Sequence, residues 1–270
     1  MGILNLTPDS FSDGGIMSGK YGALSVAEEM IESGVDILDI GGESTRPGAA
    51  EVGVEEEWTR IKDVVNELIK FNIPISIDTR KAQVMRQALS IGVDIINDVS
   101  GFRSAESLKV VKEFCGEGTG FCVMHMQGEP KTMQINPRYI DVVAEVEHFL
   151  SEKIDELMDL GALSESIVID PGFGFGKTAE HNFLLFKSIG RFISIAPVLI
   201  GISRKRLISE LSYKSRSPKD RLGGSLAAAL WSISKGVSIV RVHDVKETVD
   251  AIRVLEKLDY SQDFFHLKDG

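Results

Sequence analysis

A single (β/α)8 TIM barrel, an α/β fold with its active site at the C-terminal ends of the strands, is the architecture that this sequence predicts. Three observations predict it. Eight short runs rich in Val and Ile recur along the chain without polar alternation, as strands buried on both faces of a parallel sheet do. Between them lie amphipathic stretches at helical spacing. These strand–helix units fill nearly all of the 270 residues, an ordinary length for one barrel, so residues 1–270 read as one domain.

In chain order the apolar runs are Gly2–Leu6, Val35–Ile40, Ile73–Ile77, Val93–Ile96, Gly120–Met124, Ser166–Ile169, Pro197–Ile202 and Val237–Val242. Trp58, Ile61, Val64, Val65, Leu68 and Ile69 form one helical stripe, and Val143, Val146, Leu150, Ile154, Leu157 and Met158 a second. Leu222, Leu226, Ala229, Leu230 and Ile233 form a third, and Val249, Ile252, Leu255 and Leu258 a fourth. All four are expected to pack on the barrel. Asn136-Pro137 and Ser217-Pro218 each offer a cap residue followed by proline, the pattern of a helix start. An open doubly wound sheet is the weaker alternative, because Gly172, Gly174 and Gly176 have the wrong spacing for a dinucleotide-binding turn. Gly176-Lys177-Thr178 imitates the end of a phosphate loop, but the first glycine of that motif falls on Pro171.

The net charge of −10 argues against a nucleic-acid binder or a polybasic membrane binder, since both need clustered Lys and Arg. The longest apolar stretch, Phe192 to Ser203, is short and broken by Pro197, so no membrane span is expected. Asn5, Pro8 and Asp9 interrupt any leader-like start. Cys115 and Cys122 cannot build a disulfide framework and read as reduced, buried thiols of a cytoplasmic protein.

Every predicted strand ends in a polar residue: Asn5, Asp39, Asp78, Asn97, His125, Asp170, Ser203 and Arg241. Eight such groups on one rim point to an active site rather than to helix caps. Asp78, Asn97 and Asp170 suit a planar heterocycle with several N–H donors, because a carboxylate accepts two parallel hydrogen bonds from an amine–imine edge. On the later strands the sign reverses. Ser203-Arg204-Lys205-Arg206 and Arg241-Val242-His243, with a helix start after Ser203, form an expected anion site. The loops from Thr7 to Gly15 and from Gly41 to Gly48 have the length and composition of lids, with Phe11 and Pro47 as apolar walls. The scattered histidines 125, 148, 181, 243 and 266 exclude a structural zinc site but leave Mg²⁺, held largely by substrate phosphates, open. His125 reads equally well as a core histidine or a catalyst.

These rim residues spell recognisable segments. They are Gly2-Ile-Leu-Asn-Leu-Thr-Pro-Asp-Ser-Phe-Ser-Asp-Gly-Gly15, Gly42-Glu-Ser-Thr-Arg-Pro-Gly48, Ser76-Ile-Asp-Thr79, Ile96-Asn-Asp98, Asp170-Pro-Gly-Phe-Gly-Phe-Gly-Lys177, Ser203-Arg-Lys205 and Arg241-Val-His-Asp244. In them the chain resembles the dihydropteroate synthase family, in family order and over essentially its whole length. The resemblance implies a transferase of folate biosynthesis, the sulfonamide target. It condenses 6-hydroxymethyl-7,8-dihydropterin pyrophosphate with p-aminobenzoate, giving 7,8-dihydropteroate and pyrophosphate. It further implies that Asp78, Asn97, Asp170, Lys205 and Arg241 bind the pterin. Asn5, Thr45, Arg46, Arg241 and His243 would hold the pyrophosphate, with Asn5 the contact to a bound Mg²⁺. Phe11, Pro47, Phe175, Lys205 and Arg206 would shape the p-aminobenzoate slot. Asp78, Lys205, Arg241 and His243 would carry the catalysis, by either a dissociative route or direct displacement.

Two other readings remain. A pterin-binding methyltetrahydrofolate methyltransferase domain would not need the Thr45-Arg46-Pro47 segment or the basic groups of the last two strands. A catalytically silent pterin-binding paralogue would not need Asn5, Arg46, Lys205, Arg241 and His243 together. Family members usually carry a segment before the first strand; here Met1 abuts it, so a less covered barrel bottom is expected. The resemblance also implies a homodimer, for which the Leu222–Leu258 stripes offer a face, although packing onto the barrel explains them equally.

Overall fold

The computed structural model describes residues 1–7, 19–45, 48–116, 118–212 and 217–260. Eight parallel strands run through them: β1 (Gly2–Asn5), β2 (Leu38–Gly41), β3 (Ile75–Asp78), β4 (Ile95–Asp98), β5 (Gly120–Met124), β6 (Ile167–Asp170), β7 (Leu199–Ile200) and β8 (Ile239–Val240). The first six pair consecutively in one sheet and the last two pair with each other. Two parallel bridges join these pieces into a ring, Ile169 with Val198 and Gly2 with Val242. Backbone hydrogen bonds across the second junction run from the Ile3 amide to the Val242 carbonyl and from the Val242 amide to the Met1 carbonyl, each 3.0 Å. The predicted barrel is therefore present.

Its strands differ in extent from the apolar runs. Val35 and Val93 do not open strands; their amides donate to the Met30 and Ala88 carbonyls and close the preceding helices. Three strands instead run on to the polar residues Asp78, Asp98 and Asp170. β7 and β8 hold only two residues each, although the ladder continues irregularly, as in the Arg241 amide donating to the Ile200 carbonyl at 2.8 Å.

Ten α-helices occupy the described residues: α1 (Lys20–Glu32), α2 (Val54–Leu68), α3 (Ala82–Ser90), α4 (Ala105–Phe114), α5 (Val142–Asp159), α6 (Ala179–Lys187), α7 (Ile189–Ile193), α8 (Arg206–Leu211), α9 (Leu222–Ser234) and α10 (Val245–Tyr260). Asn136-Pro137 starts none of them. Asn136 adopts a left-handed φ of 53°, and α5 begins later, where the Asp141 carboxylate accepts from the Val143 and Ala144 amides. Ser217-Pro218 leads into a short 3-10 turn, Lys219–Arg221, that runs on into α9.

Because successive strand residues face opposite ways, each strand divides its labour. Leu38, Ile40, Ile75, Ile77, Ile96, Phe121, Val123, Ile167 and Ile169 join the helices in one continuous buried core. The alternate positions face the barrel interior. There Met1, Cys122 and Leu199, backed by Ile37, Val168 and Ile239, form a lower apolar layer, and polar residues stand above it. Below that layer an apolar cavity of about 370 Å³ opens at the N-terminal ends of the strands, lined by Met1, Ile95, Phe121, Cys122 and Leu163 among others. Both cysteines are unpaired; Cys122 is buried as expected, whereas Cys115 is only half-buried. Among the described residues no helix is long and apolar enough to cross a membrane.

Ile77 lies wholly inside the core between β3 and its helices. Ile77→Ala should lower unfolding stability by about 2–5 kcal/mol, through lost transfer energy and an unfilled cavity. A urea titration monitored by circular dichroism checks this.

Candidate active site

The C-terminal ends of the strands bring the polar side chains into one rim. Pairing aligns Asn5 with Gly41, Gly41 with Asp78, and Asp78 with Asn97, so three side chains and one gap form a row across β1 to β4. The gap matters. A Cβ at position 41 would sit in ordinary van der Waals contact, 3.5 Å from Asn5 Oδ1 and 3.6 Å from Asp78 Cβ, so glycine keeps a methyl-sized space between the two side chains.

Arg241, directly after β8, reaches back across the barrel. Its Nε donates to Asp39 Oδ2 at 2.6 Å and its Nη2 to Asp78 Oδ2 at 2.7 Å. Asn97 Nδ2 lies 3.5 Å from the other oxygen of Asp39. Asp78 Oδ1 is buried and has no hydrogen-bond partner among the described residues. Burial pushes the Asp78 carboxyl up to about 7, against the pull of Arg241 and with added repulsion from Asp39. Burial alone would lower the Arg241 guanidinium, but the two aspartates outweigh it and raise it.

The second half of the rim is built by the turn after β6. Asp170 Oδ1 accepts from the Gly172 amide at 2.7 Å. Gly172 has a φ of +70°, and any Cβ there would stand 1.9 Å from the His125 carbonyl oxygen, so only glycine permits the turn. Lys177 then ties the turn down from beneath. Its buried Nζ donates to the carbonyls of His125, Gly172 and Phe175 at 3.2, 2.9 and 3.0 Å, and sits 3.0 Å from His125 Nδ1. Lys205, at the start of α8, lays its Nζ 2.7 Å from the Phe173 carbonyl and 4.5 Å from the centre of the Phe175 ring. Burial lowers the Lys205 ammonium to about 8, although Asp170 opposes it; burial likewise raises Asp170, against Lys205. The result is a polar floor of acceptors with one ammonium beside an aromatic ring, a geometry for a flat, donor-rich ring system.

A family of pterin-binding enzymes matches residues 1–243 of this chain. The dihydropteroate synthase of Neisseria meningitidis serogroup B is 48% identical over 96% of the chain and 92% of its own length. The chain belongs to the dihydropteroate synthase family. Solved structures agree: the Burkholderia cenocepacia dihydropteroate synthase complexed with 7,8-dihydropteroate superposes with a TM-score of 0.86 at 42% identity, covering 97% of this chain and 92% of that one. The Xanthomonas albilineans dihydropteroate synthase with 4-aminobenzoic acid does so with a TM-score of 0.88 at 43% identity, covering 96% and 92%.

Of the residues that the family resemblance singled out, Asp78, Asn97, Asp170, Phe175, Lys205 and Arg241 come together at this rim. His243 stands next to it, its ring Nδ1 3.2 Å from Ser203 Oγ. Asn5, at the end of β1, and Thr45, in the loop after β2, are half-buried. Phe11, Arg46 and Pro47 lie outside the described residues, as does most of the first lid loop. The expected basic cluster is resolved differently. Arg204 is held by both oxygens of Asp244, and Arg206 is 88% exposed and paired with Glu210, so neither joins the rim. Arg206 therefore stands apart from Phe175 and Lys205, because α8 starts at residue 206 and turns that side chain along its own helix. His125 resolves toward the core reading: it packs edge-on against Phe149, and burial with Lys177 nearby drives its pKa down to about 2, so it stays neutral.

Two participants were absent from the expected site, Asp39 and Lys177. Asp39 carried a signal as one of the eight strand-end polar residues, yet it is the second residue of β2 and faces inward below Gly41. Lys177 closed the longest motif of the turn but looked like part of a failed phosphate loop.

Asp78 binds its proton more tightly in the folded chain than its ordinary value of 3.8 allows in the unfolded one. Its contribution to stability is thus complete below about pH 4 and lost as pH rises through about 7. Asp78→Asn should flatten the fall in stability between about pH 5 and 8, measured from urea midpoints.

Proposed function

We infer that this rim joins 6-hydroxymethyl-7,8-dihydropterin, delivered as its pyrophosphate ester, to p-aminobenzoate, releasing 7,8-dihydropteroate and pyrophosphate. The observation that carries the reading is the buried, unpartnered Asp78 Oδ1 in the row that Asn5, Gly41 and Asn97 complete. A buried acceptor without a donor costs about 1–3 kcal/mol, and a ring N–H would relieve it. In this reading Asp78, Asn97 and Asp170 accept from the amino-pyrimidine edge, and Lys205 donates to the carbonyl side of the ring. Phe175, under the Lys205 ammonium, forms a wall of the aminobenzoate slot, a role that the resemblance also gives to Phe11 and Pro47.

The exocyclic C–O bond breaks, its electron pair leaving with pyrophosphate, and the arylamine nitrogen attacks the methylene carbon and gives its proton to water. Arg241 uses Nε and Nη2 on the aspartates, which leaves Nη1 for the departing anion together with His243, Thr45 and Arg46. A negative charge on Asp78 stabilises the positive charge that develops on the pterin as the bond opens.

Asn5 fits a Mg²⁺ that arrives on the pyrophosphate. It offers a single amide oxygen, and no group of three His, Cys, Asp or Glu residues able to hold a metal occurs among the described residues. Such an ion would supply neutralisation of the leaving group. A homodimer is supported by the exposed apolar residues Phe183, Leu184, Leu211 and Trp231 on the adjoining helices α6, α8 and α9. The unpaired Cys115 and Cys122 favour the cytoplasm.

Incubating the protein with both substrates and Mg²⁺ should release pyrophosphate and dihydropteroate in equal amounts; pterin binding without either product overturns the reading. Arg241→Lys, which keeps a charge between the aspartates, should lower turnover at least about 10-fold while pterin binding changes little. Near-normal turnover in that variant would remove Arg241 from the leaving-group role.

A further inference from the structure

The loop between β2 and α2 carries Thr45, and its base is held by a buried ionic cluster that no substrate contact explains. Glu43, buried, turns its Oε1 to the Val52 amide at 2.9 Å and so closes the loop on itself. Its Oε2 accepts from Lys81 Nζ at 2.8 Å and from Arg80 Nε at 3.3 Å. Lys81, with a side chain only 11% exposed, also donates to Glu57 Oε2 at 2.6 Å. Glu57 is fully buried on α2 and its Oε1 has no partner among the described residues, so Lys81 is what neutralises it. Arg80 extends the cluster to Glu51, at 3.0 Å, and toward Glu129, at 3.7 Å. Burial would raise the Glu43 carboxyl, yet the hydrogen bonds from Lys81 and Val52 hold it below its ordinary value.

Lys81 is three residues beyond Asp78. The backbone between them is fixed, because the Thr79 amide donates to the Asn97 carbonyl at 3.1 Å and the Lys81 amide to Thr79 Oγ1 at 3.2 Å. The ammonium thus stands at a set place relative to the end of β3. Building on the function proposed above, we propose that Lys81 is a positioning residue: by bridging Glu43 and Glu57 it fixes residues 43–45, and with them Thr45, relative to the strand end that carries Asp78. Lys81 touches no substrate. Its effect is to align the loop that meets the pyrophosphate with the carboxylate that meets the ring.

The test uses binding of two probes, the dihydropterin pyrophosphate and the corresponding dihydropterin alcohol, each measured by calorimetry on wild type, Lys81→Met, Lys81→Arg and Glu57→Gln. Lys81→Met should weaken the pyrophosphate ester about 10-fold or more and the alcohol less than about 2-fold. Lys81→Arg, which keeps a charge between the carboxylates, should recover most of the loss. Glu57→Gln keeps the fold closer to neutral and should show a smaller change of the same kind, which preserves the test where Lys81→Met does not fold. Hydrogen exchange should rise in residues 43–52 of Lys81→Met and not in β4 to β6. Equal weakening of both probes, or of neither, overturns the proposal. Failure of the wild type to form dihydropteroate would instead overturn the functional reading and leave the loop measurements standing.

Discussion

One buried guanidinium organises this molecule. Arg241 lies between Asp39 and Asp78, joining β8 to β2 and β3 over sequence separations of 202 and 163 residues. None of the three charges could stand alone in that interior, where the effective penalty is several kcal/mol per ion. Together they are compatible with burial. They also set the site's electrostatics in advance: two carboxyl groups share one cation, and one carboxyl oxygen is left without a partner among the described residues. A donor-rich ring bound there, as proposed, would meet acceptors that are already desolvated and oriented, which is the condition under which hydrogen bonds discriminate most strongly.

The connections around that cluster are held from outside the barrel. Lys177 anchors the turn after β6 through backbone carbonyls and the His125 ring, whereas the turn after β2 is anchored by carboxylates around Lys81 and Arg80. Asn97 and Asp98 show how finely strand geometry sorts function from support. Adjacent in β4, they face opposite sides: Asn97 meets Asp39 inside, while Asp98 accepts from the Ser100 and Phe102 amides and shapes its own loop. The neutral His125 belongs with these supports, packed between Lys177 and Phe149.

Much of this was legible beforehand. Repeated Val- and Ile-rich runs announce buried parallel strands because burial on both faces leaves no room for polar alternation. A polar residue at the end of each run marks the rim, and Asp78, Asn97, Asp170, Lys205 and Arg241 all met there. Boundaries were less legible. Val35 and Val93 are apolar because they close helices against the core, and composition does not separate that role from a strand's. Asn136-Pro137 imitates a helix start, but the Asp141 carboxylate caps α5 with two amides and decides where that helix begins.

The order of residues was sufficient for the fold class and the family, since those depend on periodicity and on local motifs. Which charges neutralise which was decided only in three dimensions. Arg204, Arg206 and Arg241 look alike along the chain, yet Asp244 takes the first, Glu210 the second, and Asp39 with Asp78 the third. Coulomb energy and hydrogen bonding depend on distance, angle and burial. Only the closed ring of strands sets those quantities for groups some two hundred residues apart.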